Sequence, residues 1–170
     1  MQTLAERIRT PLSAIEIFSA DEIGWVGADA DVQAVLLGTT TGPLAAAHAR
    51  IASLGRIAAH PRLVRAVEAR LGGVAAIAQS AYWRTWDGTQ AALAAGDGQV
   101  ALVFLGWRGR IGGTAATLGG VLLLDAAELA GLAAEGGAPV GPFLVVRYAA
   151  DGAAIPALAD DCLWPSTWCV

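Results

Sequence analysis

The sequence predicts a single α+β domain spanning residues 1–170, a mixed β-sheet covered by a helix pair, with a three-layer α/β arrangement as the alternative. Short apolar runs at 13–18, 32–37, 99–107, 120–124 and 143–148 have the length and patterning of strands. Residues 43–71 carry helical spacing, broken once at His60-Pro61 because proline disfavours helical geometry in the residue before it. A chain of 170 residues fits one domain, which buries roughly 70% of the surface its unfolded form exposes.

The elements follow in order. Residues 3–9 read as a short helix stopped by Pro11. Ser13 to Phe18 alternates with the period of a strand, and Ile23–Val26 reads as a second strand, turned at Asp29-Ala30-Asp31 into Val32–Leu37. Gly38-Thr39-Thr40-Thr41-Gly42 then leads into a helix over 43–59, with Thr41 or Gly42 as N-cap and Pro43 in the first helical position. Its inner side takes Leu44, His48, Ile51 and Leu54. A second helix, Arg62–Leu71, turns Leu63, Val67 and Leu71 inward and ends at Gly72-Gly73.

Residues 74–86 read as a third helix, ended by a turn at Asp87-Gly88, and 89–95 as a helical turn. Gln99 to Trp107 is apolar on both faces and therefore a central strand. Val121–Leu124 is another buried strand running into a helix at Asp125–Ala134, where Asp125 and Glu128 have capping-box spacing. Phe143–Tyr148 is the last strand, Asp151-Gly152 a turn, and the tail from Pro156 is irregular.

Composition removes several chemistries. The chain has no lysine, so its 11 basic residues are all arginine. Schiff-base, P-loop and kinase-type lysine chemistry are thereby excluded. Alanine (38) and glycine (21) fill about a third of the chain. A GC-rich coding bias produces the same excess of alanine and arginine. Only 15% of residues are charged, against about 25% in ordinary soluble domains, and such a surface is more easily matched to a partner than kept monomeric. Residues 1–42 carry a net charge of −4, residues 43–72 of +4 and residues 73–170 of −4, a pattern that favours internal neutralisation of the basic segment. The first eleven residues hold Glu6, Arg7, Arg9 and Pro11, leaving no apolar export signal. The expectation is a cytoplasmic protein without a membrane span, with Cys162 and Cys169 reduced.

Two loops suit anions. Gly38, Thr39, Thr40, Thr41 and Gly42 offer backbone N–H groups and hydroxyls at an expected helix start. Arg108 and Arg110 lie among glycines after the strongest strand, with a spacing that does not match the dinucleotide fingerprint. His48 and His60 are too far apart in sequence for a helical metal pair, and Cys162 and Cys169 lack zinc or redox spacing. Packing or capping is the expected role of each histidine, and neither a metal nor a cofactor is expected. No serine sits in a nucleophile-elbow context. Trp83, Arg84 and Trp86, then Trp164 and Trp168, concentrate the residue types that anchor protein interfaces. Negative net charge argues against nucleic acid. The leading expectation is a non-catalytic subunit or interaction protein of a larger homo- or hetero-oligomeric assembly, contacting its partners through Trp83, Arg84, Trp86, Arg108, Arg110, Trp164 and Trp168. The alternative is a small-molecule-binding protein or enzyme taking an anionic ligand at Gly38–Gly42.

Overall fold

The computed structural model describes residues 15–24, 44–85, 98–105, 109–111, 114–116, 118–125, 127–128, 140–150 and 164–165. The described strands are β1 (Ile15–Glu16), β2 (Leu44–Ala45), β3 (Ala75–Thr85), β4 (Gln99–Phe104), β5 (Gly109–Ile111), β6 (Thr114–Ala116), β7 (Gly120–Leu124), β8 (Val140–Ala150) and β9 (Trp164–Pro165). The helices are α1 (Ala20–Gly24), α2 (Ala47–Arg50), α3 (Ala52–Ala58) and α4 (Pro61–Leu71). The expected helix at 3–9, the strand at 32–37 and the turn region at 87–97 lie outside the described residues.

Four strands in the order β7-β4-β8-β3 form the body of the sheet. β1 lies outside β7, β2 and β9 share the other edge of β3, and the β5–β6 hairpin joins the start of β8. The α+β class stands, but every described pairing is antiparallel, which corrects the mixed sheet expected. The helical stretch 47–71 joins β2 to β3, which lie antiparallel side by side, so it is not the crossover a parallel pair needs. Among the described residues no helix is long and apolar enough to cross a membrane.

The largest correction is β3, where a third helix was expected. Its alanines favour a helix locally, yet the segment pairs with β8 along its whole length. A register shift between Ile77 and Gln79 adds one residue to β3. Ala75 and Ile77 face the helices before it, and Ser80 and Tyr82 face the same way after it. That change of phase destroys the period-2 pattern by which a strand is read in sequence. A second irregularity, between Trp83 and Thr85, skips Gly141-Pro142 of β8, where the proline has no N–H to give the ladder.

Both faces of the sheet are buried. On the helix side Leu144, Val146, Tyr148, Val103 and Val121 pack against Leu54, Leu63 and Val67. On the other side Val100, Leu102, Phe104, Leu122, Leu124, Phe143 and Val145 are also buried, with the Phe104 and Phe143 rings 6.4 Å apart. This is the two-sided apolar pattern that marks β4 as central in the sequence. The Tyr148 hydroxyl donates to the Ala58 carbonyl at 2.6 Å and pins the end of α3 to the sheet.

The helix pair begins later than expected. Leu44–Ala45 is strand, so Pro43 does not open a helix. Ala46 turns the chain in the left-handed region (φ 53) and α2 follows, with a break at Ile51 before α3. Gly55 of α3 lies so near α2 that an added Cβ meets the His48 carbonyl oxygen at 2.6 Å. The second helix matches its expectation. His60 caps α4, Pro61 takes its first turn, and Gly72 ends it in the left-handed region (φ 73). Leu63 and Val67 are fully buried.

Ile23–Val26 was read as strand, but Ala20–Gly24 is helical. The Ser19 hydroxyl accepts from the Glu22 N–H and the Glu22 carboxylate accepts from the Ser19 N–H, a capping box that starts α1. Asp125 and Glu128 form the same reciprocal pair, as their spacing implied. Arg62 pairs with Glu22 and Arg70 with Glu128, so the basic segment draws on acids from both flanking segments. All four side chains are substantially exposed, so solvent screens each pair and it adds little to stability.

Candidate functional site

Register places the sequence-predicted contact residues in two groups. Trp83 and Arg84 lie near the end of β3, where Trp83 is opposite Phe143 and Thr85 opposite Val140. Arg110 of β5 is opposite Val140 from the other side. Trp83 and Arg84 of β3 and Arg110 of β5 therefore lie at the same end of the sheet, on opposite sides of the start of β8. Trp164 of β9 is opposite Ile77, about 20 Å along β3 from Trp83 at roughly 3.3 Å per residue. Gly38, Thr39, Thr40, Thr41, Gly42, Trp86, Arg108 and Trp168 lie outside the described residues. The described residues that follow, Leu44–Ala45, form β2 rather than a helical turn.

A second feature is a groove of about 250 Å³ between α1, α3 and the start of α4. Phe18 and Ile57 form its apolar lining and Glu22, Arg56 and His60 its polar one. The His60 ring stands edge-on to Phe18 with centroids 5.0 Å apart, and its Nδ1 accepts the Arg62 N–H. Burial, with help from the Arg62 guanidinium, holds the imidazole below its ordinary pKa, against the pull of Glu22. The ring is thus neutral near pH 7, with Nδ1 as acceptor and the proton on Nε2. The Ser19 N–H bond, then the Ser19 hydroxyl and the Arg62 charge, hold the Glu22 carboxyl below its ordinary value. The sequence reading does not single out Glu22. The Ser-x-x-Glu spacing from Ser19 was the available signal.

The sign of the pH dependence follows. The folded chain resists the proton that unfolded His60 accepts near pH 6.5, so this contribution is complete above 6.5 and declines as the pH falls below it toward the folded value. The Glu22 contribution is present above about 4.5 and is lost only as the pH falls through its lower folded value. Urea midpoints measured at pH 7.5 and 5.5 are therefore expected to fall for the wild type and to fall less for His60→Asn, which keeps an N-cap. Equal slopes in the two proteins contradict this assignment.

The third feature is the His48–Ser80 pair beneath the helices. The Ser80 hydroxyl accepts the His48 backbone N–H at 2.9 Å and lies 2.5 Å from His48 Nδ1. The hydroxyl keeps a proton and a second lone pair, so the contact with Nδ1 serves either imidazole tautomer. Both side chains are buried. Ala46 N–H donates to the Ser80 carbonyl at 2.8 Å, so the same residue clamps β2, the left-handed turn and α2 to β3. This is the packing role expected for a histidine in that position.

Among the described residues no group of three or more His, Cys, Asp or Glu is placed to hold a metal ion. No protein-family model matches the sequence, and no curated protein matches it.

Proposed function

We propose that the chain is a non-catalytic subunit or interaction protein of a larger oligomeric assembly, working in the cytoplasm. Its contact surface is centred on Trp83, Arg84 and Arg110. The observation that carries this reading is the register that brings these residues to one sheet end around Val140. Tryptophan and arginine supply most of the energy in protein interfaces, and a cluster counts for more than scattered copies. Two further observations support it. Among the described residues the outer edges of the sheet carry two-residue strands, and short edge strands discourage strand-by-strand addition. Among the residues whose side-chain burial is described, a set that does not include Trp83, Val74 is the one exposed large hydrophobic, so the described helix-side surface offers no apolar patch.

Sedimentation of the wild type beside Arg110→Glu tests the reading. The wild type is expected to sediment as a multiple of its 17.3 kDa chain, and the variant is expected to associate at least roughly tenfold more weakly. An unchanged association constant in the variant removes Arg110 from the contact.

A further inference from the structure

We propose that His60 works as an acid-operated latch: on taking up a proton its ring leaves the N-terminus of α4, pairs with Glu22 of α1 and loosens the first turn of α4. The latch is independent of the contact surface at the sheet end. It rests on the role of one ring nitrogen. Pro61, at the first helical position, brings no N–H, so the Arg62 N–H is the first in α4 that needs an acceptor. His60 Nδ1 supplies that acceptor at 3.3 Å. A protonated imidazole carries hydrogen on both nitrogens and has no acceptor left. Two donors then face each other, and the new charge stands where the helix dipole is already positive. Proton uptake and the cap therefore exclude each other.

The surroundings decide where the ring goes. Among the described residues, His60 shares its groove with Phe18, with Glu22 of α1 and with Arg56 and Ile57 of α3, and Arg62 stands beside it on α4. Phe18 holds the neutral ring edge-on, with centroids 5.0 Å apart. The groove's volume of about 250 Å³ leaves room for the ring to turn. Arg62 repels an imidazolium, and Arg56 is a second cation with a partner of its own. Glu22 is the acid in this set, and its charge and that of His60 act on each other. Burial holds His60 below 6.5, and the Ser19 N–H bond holds the Glu22 carboxyl below 4.5. Protonated His60 and ionised Glu22 thus coexist on the acid side of 6.5, until the pH falls past the Glu22 value. The ring turns to Glu22, which then divides its carboxylate between His60 and Arg62.

NMR of the full chain between pH 7.5 and 4.5 tests this, with His60→Asn identifying the His60 ring signals. The Arg62 amide is expected to shift with the same midpoint as the ring, on the acid side of 6.5. Its hydrogen exchange, relative to Val67 in the same helix, is expected to become roughly fivefold faster, as loss of a cap implies. Ring-proton NOEs to Phe18 are expected to weaken and NOEs to Glu22 to appear. His60→Asn, whose side chain caps without titrating, is expected to hold the Arg62 amide constant over this range. Glu22→Gln, which preserves the capping box of α1, is expected to move the ring and amide midpoints together to lower pH. An Arg62 amide that does not follow the ring, the same Arg62 shift in His60→Asn, unchanged midpoints in Glu22→Gln, or identical NOEs at both ends of the range each overturn the latch.

Discussion

Ser80→Ala is expected to lower the free energy of unfolding by about 2–4 kcal/mol, whereas Ser53→Ala leaves it unchanged or raises it by up to about 1 kcal/mol. Both hydroxyls are buried, at 1% exposure each, so burial alone does not separate them. The difference lies in their partners. Ser80 satisfies both the backbone N–H and Nδ1 of His48, and its removal strands two polar groups in a dry interior. The Ser53 hydroxyl has no hydrogen-bond partner among the described residues, so deleting it relieves a desolvated group. Urea unfolding of the two single variants measures the contrast. Equal effects would show that the His48–Ser80 clamp contributes nothing beyond packing.

A similar contrast holds between two glycines. Gly98 sits at φ 140, and a Cβ added there lies 2.2 Å from the Tyr148 carbonyl oxygen. The next residue, Gln99, is the register partner of Tyr148, so relief of the clash requires β4 and β8 to part where their ladder begins. Backbone strain and overpacking each cost about 1–3 kcal/mol, which puts Gly98→Ala at about 3 kcal/mol or more. Gly73 has open space around the same added atom. Gly73→Ala is therefore expected to fall within about 0.5 kcal/mol of the wild type. Comparable losses in both variants would argue against the close approach of β4 and β8.

What the sequence revealed depended on whether the signal was local. α4 was readable end to end because its break, its proline, its inward Leu63 and Val67 and its terminal glycine all lie within one short stretch. β4 and β7 were readable because burial on both faces leaves unbroken apolar runs. β3 was not, since an alanine-rich segment with one extra residue between Ile77 and Gln79 carries no strand alternation and few branched side chains. α1 was missed because Ile23 was read as part of a strand and the Ser19–Glu22 pair was passed over. Of the proposed contact residues, the types were legible in sequence but their grouping was not. Only the pairing of β8 with β3 on one side and β5 on the other brings Trp83 and Arg84 near Arg110 and leaves Trp164 at the far end.

Native mass spectrometry of the freshly purified full chain tests the central claim most directly. The expected spectrum is dominated by an assembly containing more than one chain, either several copies of this one or this one with a different protein. A spectrum holding only the single 17.3 kDa chain, from solution at micromolar concentration and gentle ionisation, contradicts it.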